Sequence, residues 1–301
     1  MLKPLVEDHR LPADLPDSST PETIALSPLH FAHANGFPVA SYRQFLTPLA
    51  QKFTVHSTDF LGHHPDYPVS DNWFGLCAQL IADVEHTVRQ HGEPVIGVGH
   101  SLGGGLMFMA SLQRPELFRQ VLMLDVPLIT YWESALFAVI KKTPWLDRLT
   151  PAGRADRRRH QWDSQREAFN YLRHKPLFRR FSDAVLQDYV NAVTEPVVSQ
   201  PGAQMPPYRL RYRPEIEAEI FRTYPTNWTR HYKRRHPNLT VIVGAESGLV
   251  KPHHVKLMQR KWRIPVLQAI GGHLFPLEFP DQTAALIITA GQSTDVRAVA
   301  L

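Results

Sequence analysis

Apolar and polar positions in this chain change period from block to block. Short, apolar, β-prone runs recur at Thr23–Ala32, Phe53–Thr58, Val95–Val98, Gln120–Leu124, Leu239–Gly244 and Pro265–Ile270. Between them lie longer stretches with apolar residues three and four apart. These are Ala40–Ala50, Trp73–Gln90, the run from Leu106 towards Pro115, His253–Lys261 and Asp281–Thr289. The first period predicts buried strands and the second amphipathic helices. Within Trp73–Gln90 the stripe is Leu76, Leu80, Ile81, Val84 and Val88, with Asp71 or Asn72 placed to cap it and Gly92 to end it. Regular alternation of strand and helix predicts an α/β fold, a mostly parallel sheet flanked by helices.

The rhythm breaks between Pro127 and Leu239. Helical patches follow instead, at Trp132–Lys141, Asp163–Arg173, Asp183–Val193 and Pro214–Arg222, separated by Pro144, Pro151, Pro176, Pro196 and Pro206-Pro207. We therefore expect residues 128–225 to be an inserted helical cap and residues 1–127 and 226–301 to form the core. Residues 1–22, with Pro4, Pro12, Pro16 and Pro21, read as a loose arm or an irregular sheet edge.

The most informative stretch is Gly99-His100-Ser101-Leu102-Gly103-Gly104-Gly105, between a predicted strand and a predicted helix. A turn this tight strains the backbone at Ser101, and side chains at 99 and 103 would collide with its neighbours. The strain holds the hydroxyl above the sheet at a helix N-terminus, where free N–H groups can meet developing negative charge. Three further loops stand at strand ends: His33-Ala34-Asn35-Gly36-Phe37, Asp59-Phe60-Leu61-Gly62-His63 and Gly271-Gly272-His273.

Taken together, these four motifs, spread over residues 23–290, resemble those of an α/β-hydrolase with a helical cap, in the family's order of serine before histidine. The resemblance implies a nucleophile at Ser101 and a general base at His273, with the N–H groups of Leu102 and Asn35 as an oxyanion hole; Ala34 is the alternative to Asn35. It implies a loop-shaping role for His33, packing beneath the turn for His100 and a loop-fixing role for Asp59. Two positions depart from the pattern. Ala34 stands where glycine is usual, and Ser247 stands where the triad acid often is. The acid therefore has two candidates: Asp125, at the end of the strand Gln120–Leu124, which we favour, and Glu246, one residue ahead of the vacated position.

Composition narrows the class. Hydrophobic residues make up 43% and charged residues 20%, ordinary for a soluble globular chain. No run approaches the roughly 20 apolar residues of a membrane span, and the polar start lacks the core of a signal peptide, so a cytoplasmic protein is expected. Cys77 is the single cysteine, and we expect it to be a buried hydrophobe. The net charge of +5 is uneven: residues 128–235 hold 20 Lys and Arg against 11 Asp and Glu, the remainder 13 against 17. The basic residues follow no nucleic-acid-binding motif, so a solvated helical surface is expected. The neighbours His63-His64 and His253-His254 should diverge as adjacent side chains, so no metal is expected, and no cofactor.

Serine rather than aspartate at 101 implies acyl transfer to water on a small molecule. The leading expectation is an esterase-like serine hydrolase for a small, largely apolar substrate. Trp132, Phe137, Trp145, Trp162, Phe169 and Tyr171 would divide between cap core and pocket wall. Cofactor-free C–C bond cleavage or perhydrolysis is the alternative chemistry, and a non-catalytic small-molecule receptor is the alternative class.

Overall fold

The computed structural model describes residues 26–197, 208–227 and 234–292. The expectations for the arm 1–22 and for the start of the Thr23–Ala32 strand lie outside these residues. The chain opens with β1 (Pro28–Ala32), α1 (Arg43–Ala50), β2 (Thr54–Thr58) and α2 (Phe74–His91). It continues through β3 (Val95–His100), α3 (Leu102–Gln113) and β4 (Phe118–Leu124). After residue 226 come β8 (Leu239–Gly244), α10 (Pro252–Lys256), β9 (Val266–Ala269), α11 (Phe275–Glu278) and α12 (Pro280–Gln292); the intervening elements are given below. The six strands form one parallel sheet in the order β2-β1-β3-β4-β8-β9.

The sheet separates two cores, and the period of two along each strand decides which residue enters which. Ile96, Val98, Leu122, Leu124 and Ile242 face one core, with Phe45 and Leu49 of α1 and Ile287 of α12. Val95, Val121, Met123, Val241 and Val243 face the other, with Leu76, Leu80 and Val84 of α2 and Leu102, Leu106 and Met107 to Ala110 of α3. Leu102 to Ser111 are all buried, because α3 is enclosed by the sheet and α2. That burial explains an apolar run without helical alternation. Gly92 ends α2 at φ 71°, its N–H bonded to the Val88 carbonyl at 2.8 Å. The N-terminal cap is not Asp71 or Asn72. Ser70 Oγ accepts the Gly75 N–H at 2.9 Å, while Asn72 Oδ1 accepts the Thr226 N–H. Cys77 is buried, and burial pushes its thiol up to about 12. Among the described residues no helix is long and apolar enough to cross a membrane.

Between β4 and β8 the described residues carry α4 (Tyr131–Ile140), α5 (Leu146–Leu149), α6 (Ala152–Asp156), β5 (Gln161–Trp162), α7 (Gln165–Arg173) and α8 (Asp183–Val193). The short strands β6 (Thr194–Pro196) and β7 (Tyr208–Leu210) and the helix α9 (Pro214–Arg222) follow. The segment is thus not wholly helical. Its three short strands pair antiparallel in the order β5-β7-β6 and stay apart from the parallel sheet. Two- and three-residue strands are too short to show a period, so the sequence pattern did not reveal them.

Candidate active site

β3 runs directly into Ser101, which stands at φ 53° and ψ −111° before α3 begins. The turn is held from both sides. The Ser101 N–H bonds to the Leu124 carbonyl at 2.9 Å and the Gly103 N–H to the His33 carbonyl at 3.1 Å. A Cβ at Gly99 would lie 2.4 Å from the Gly103 carbonyl, and one at Gly103 would lie 2.1 Å from Ala32 O. Glycine is required at both by close backbone approach. The side chain of Ser101 is half-buried.

Asp125 follows β4, the neighbouring strand, at φ 50°, and its side chain is fully buried. His273 Nδ1 donates to Asp125 Oδ2 at 2.7 Å, and the imidazole keeps 30% of its surface exposed. The carboxylate accepts two more bonds, from the Gly244 N–H at 2.9 Å to Oδ1 and from the Ser247 hydroxyl at 2.6 Å to Oδ2. Glu246 is not brought to His273. It is exposed and forms a two-pronged pair with Arg180 at 2.8 and 3.0 Å, which holds its carboxyl below the usual range. Ser247, read from sequence as a vacated acid position, instead supports the carboxylate of Asp125 across 122 residues of chain.

A buried chain of hydrogen bonds ties His273 to the turn and to the loop after β1. The Ala34 N–H bonds to Tyr42 Oη at 3.3 Å, and Tyr42 Oη meets His100 Nδ1 at 2.7 Å. His100 Nε2 meets the His273 carbonyl at 2.9 Å. A carbonyl only accepts, so His100 carries its proton on Nε2 and Tyr42 donates to Nδ1. Burial lowers the His100 pKa to about 3, with His273 adding to the effect, and raises that of Tyr42, so both are neutral links. His100 is therefore more than packing. Tyr42 carried no sequence signal, being one of nine tyrosines in an amphipathic stretch.

The donors expected for an oxyanion separate in the same region. The Ala34 N–H is engaged by Tyr42 Oη at 3.3 Å, which takes it out of use as an oxyanion donor. The Leu102 N–H opens α3 and has no carbonyl of its own helix to bond. Asn35 is held through its side chain, donating to the Glu217 carbonyl at 2.9 Å and accepting from Tyr212 Oη at 3.2 Å. His33 accepts the Leu61 N–H on Nε2 at 3.1 Å and donates from Nδ1 to Ala34 O at 2.8 Å. Asp59 Oδ1 accepts the N–H groups of Val39 and Phe60, both at 2.9 Å. Phe37, two residues beyond Asn35, packs against Tyr189 at 5.0 Å between ring centroids and also against Phe178 and Phe181.

Three buried imidazoles make this region acid-sensitive. His30, bonded to Thr87 and Thr58, is lowered to about 3 by burial and by His56; His100 is lowered likewise, and His33 in the same direction. A depressed histidine contributes stability above its unfolded value near 6.5, and that contribution is lost as pH falls towards the folded value. His30 and His100 alone should cost about 1.4 kcal/mol each per pH unit below about pH 6. Urea unfolding at about pH 7.5 and about pH 5 should show that decline; equal stabilities would contradict the burial of these rings as neutral groups.

The paired histidines behave differently from each other. His63 Nε2 accepts the Arg213 N–H and His64 Nδ1 the Asp66 N–H, so these two diverge. His253 and His254 do not: both direct Nε2 at Glu133, at 3.1 and 2.9 Å to Oε1. One carboxylate draws both rings to one side at the start of α10. The three ligand atoms lie within 4.8 Å of one another, a spacing open to a metal. His254 Nδ1, however, accepts the Lys251 N–H at 3.1 Å, which leaves its proton on Nε2 as a donor to Glu133. The cluster therefore fits a hydrogen-bonded clamp between α4 and α10. Burial disfavours the Glu133 charge, but the Thr130 N–H and the two imidazoles outweigh it and hold the carboxyl at about 2.

A family model described as the Alpha/beta hydrolase family matches residues 31–286. The chain belongs to the alpha/beta hydrolase family. Solved structures agree in fold. E-2-(acetamidomethylene)succinate hydrolase is 18% identical and superposes with a TM-score of 0.64 over 89% of this chain and 93% of its own. The thioesterase domain from the curacin biosynthetic pathway is 15% identical, with a TM-score of 0.64 over 87% of this chain and 91% of that one. A thermophilic esterase from Thermogutta terrifontis, with malate bound, is 16% identical, with a TM-score of 0.58 over 92% of each chain. None of the curated proteins matches the sequence of this hydrolase. At such identities the likeness is one of fold, and the reaction must be argued from the side chains of the hydrolase itself.

Proposed function

We propose that this hydrolase cleaves a small, largely apolar ester-like substrate through an acyl-enzyme on Ser101. The observation that carries the reading is the hydrogen bond from His273 to the buried Asp125, beside a serine held in a strained strand-to-helix turn. Asp125 keeps the proton of His273 on Nδ1, so Nε2 is free to act as a base. His273 takes the Ser101 proton as Oγ attacks the substrate carbonyl carbon. The N–H groups of Leu102 and Asn35 hold the oxyanion. His273 then protonates the departing alkoxide, leaving the acyl group on Ser101. Water repeats the sequence, giving its proton to His273 and its oxygen to the acyl carbon, and Ser101 recovers its proton. Residues 128–225 are taken as the cap over this site and residues 1–127 and 226–301 as the core. The aromatic group around Phe37 supports an apolar wall beside the oxyanion loop. Trp132 and Trp145 do not contribute to it, being 79% and 59% exposed, and Trp162 is cap interior.

A fluorophosphonate probe tests the reading directly. The hydrolase should be labelled once, and Ser101→Ala not at all; equal labelling of both would reject an activated Ser101. A panel of esters of increasing acyl length then addresses the substrate.

Ser247 supplies a finer test. Removing its hydroxyl deprives Asp125 Oδ2 of a donor while leaving the Gly244 N–H in place. A hydrogen bond to a charged group is worth about 1.5–3 kcal/mol, so Ser247→Ala should lower kcat/KM about tenfold or more, with Ser247→Thr restoring most of it. Equal kcat/KM in all three proteins would remove Ser247 from the catalytic support.

A further inference from the structure

The outward face of α4 is apolar. Trp132, Leu136 and Val139 recur at i, i+4 and i+7, on one stripe of the helix, and are 79%, 61% and 63% exposed. The opposite stripe holds the helix to the protein. Ser134 is buried, the Phe137 ring packs on Tyr224 at 5.5 Å between centroids, and Lys141 Nζ bonds to Asp71 and to the Tyr224 carbonyl. This is the reverse of a surface helix in water, which turns its polar side outward. The next helix, α5, continues the surface with Trp145 and Leu149, four residues apart and 59% and 63% exposed. With Tyr131, six of the eleven exposed large apolar side chains among the described residues fall between positions 131 and 149.

Cations predominate at the same surface, and its carboxylates Asp71, Asp147 and Asp156 are each held by Lys141 or Arg222. Lys142, Arg148, Arg154 and Arg157 are exposed, and among the described residues no carboxylate lies within ion-pair distance of them. The neighbouring cations differ: Lys141 pairs with Asp71, Arg158 with Glu217 and Arg159 with Glu167. Arg148, Arg154 and Arg157 border an open depression beside Leu149. The carboxylate at its rim, Asp147, is already bonded to Arg222 at 2.9 and 2.8 Å. Arg148 lies over the Trp145 ring at 5.3 Å and Arg157 acts electrostatically on Asp147, but neither forms an ion pair. An exposed Trp- and Leu-bearing stripe next to such arginines is the pattern of a helix that lies in a membrane interface. A second copy of the chain fits less well, because a twofold contact on this face would set the same cations against each other.

We propose that the α4–α5 surface docks on an anionic lipid bilayer, with Trp132, Leu136 and Val139 at the acyl boundary and Arg148, Arg154 and Arg157 on the headgroups. α4 begins six residues after Asp125, at most roughly 20 Å along the chain, so the bilayer would lie near the site that takes the apolar substrate. The docking itself does not depend on the proposed reaction.

The test is cosedimentation of the full-length protein with vesicles of equal parts phosphatidylcholine and phosphatidylglycerol, beside vesicles of phosphatidylcholine alone. Binding should favour the anionic vesicles and weaken with added salt. Replacing Arg148, Arg154 and Arg157 with glutamine should weaken it about fivefold per residue. The pair Trp132→Ser and Leu136→Ser should weaken it about tenfold or more. Both variants change exposed residues, so unchanged melting temperatures separate lost docking from lost folding. No binding to the anionic vesicles at low salt, or binding that both variants retain, would overturn the proposal. So would sedimentation velocity showing a dimer that Trp132→Glu dissociates, since a second copy would then cover the face.

Discussion

Ser101→Ala should abolish ester hydrolysis to within a small residue, a fall of about a thousandfold or more in kcat, while the protein stays folded. The substitution removes one hydroxyl from a half-buried position and leaves the backbone bonds of the turn, from Ser101 N–H to Leu124 and from Gly105 N–H to Ser101, untouched. The strained φ of 53° is imposed by the strand before and the helix after, and alanine experiences it as serine does. Activity and stability therefore part company. Turnover by single-substrate kinetics should collapse, while thermal unfolding moves by no more than a few degrees. Unchanged turnover with a folded protein would end the serine-hydrolase reading.

Asp125→Asn should have the second large effect, with kcat lower by about a thousandfold or more. The change is isosteric and αL backbone suits asparagine, so the buried turn at φ 50° should survive. The chemistry should not. An amide offers no charge to offset an imidazolium. Where its N–H₂ faces His273, it also forces the imidazole to accept on Nδ1 and to carry its proton on Nε2, the nitrogen that must act as the base. Glu246→Gln is the counterpart. It loses only an exposed, solvent-screened pair with Arg180, so kcat should change by no more than a few-fold. Near-normal turnover in Asp125→Asn with collapse in Glu246→Gln would show that the other carboxylate is the acid.

Several features could not be read from the chain alone, each for a physical reason. The support of Asp125 by Ser247 and the link from Ala34 through Tyr42 and His100 to His273 join residues far apart in sequence. A hydroxyl is informative only once its partner is known. The convergence of His253 and His254 depends on Glu133, which comes from a helix some 120 positions away. The stripe on α4 is visible as a period, but a period gives the angle between residues and not the direction in which they face; packing through Phe137 and Lys141 turned it outward.

What the sequence by itself determined is the alternating strand and helix order, the strand-to-helix turn at Ser101 and its glycines, and the short list of partners for that serine. These follow from local rules: side-chain period, backbone sterics and the free N–H groups of a helix start. Only the tertiary structure decided which carboxylate meets His273, that the Ala34 N–H is bonded to Tyr42, and which face of α4 the solvent sees. Those outcomes depend on distances between segments that are remote in the chain. Asp125 and Glu246 follow adjacent strands of one sheet, and burial with a 2.7 Å hydrogen bond, against exposure beside Arg180, is what separates them.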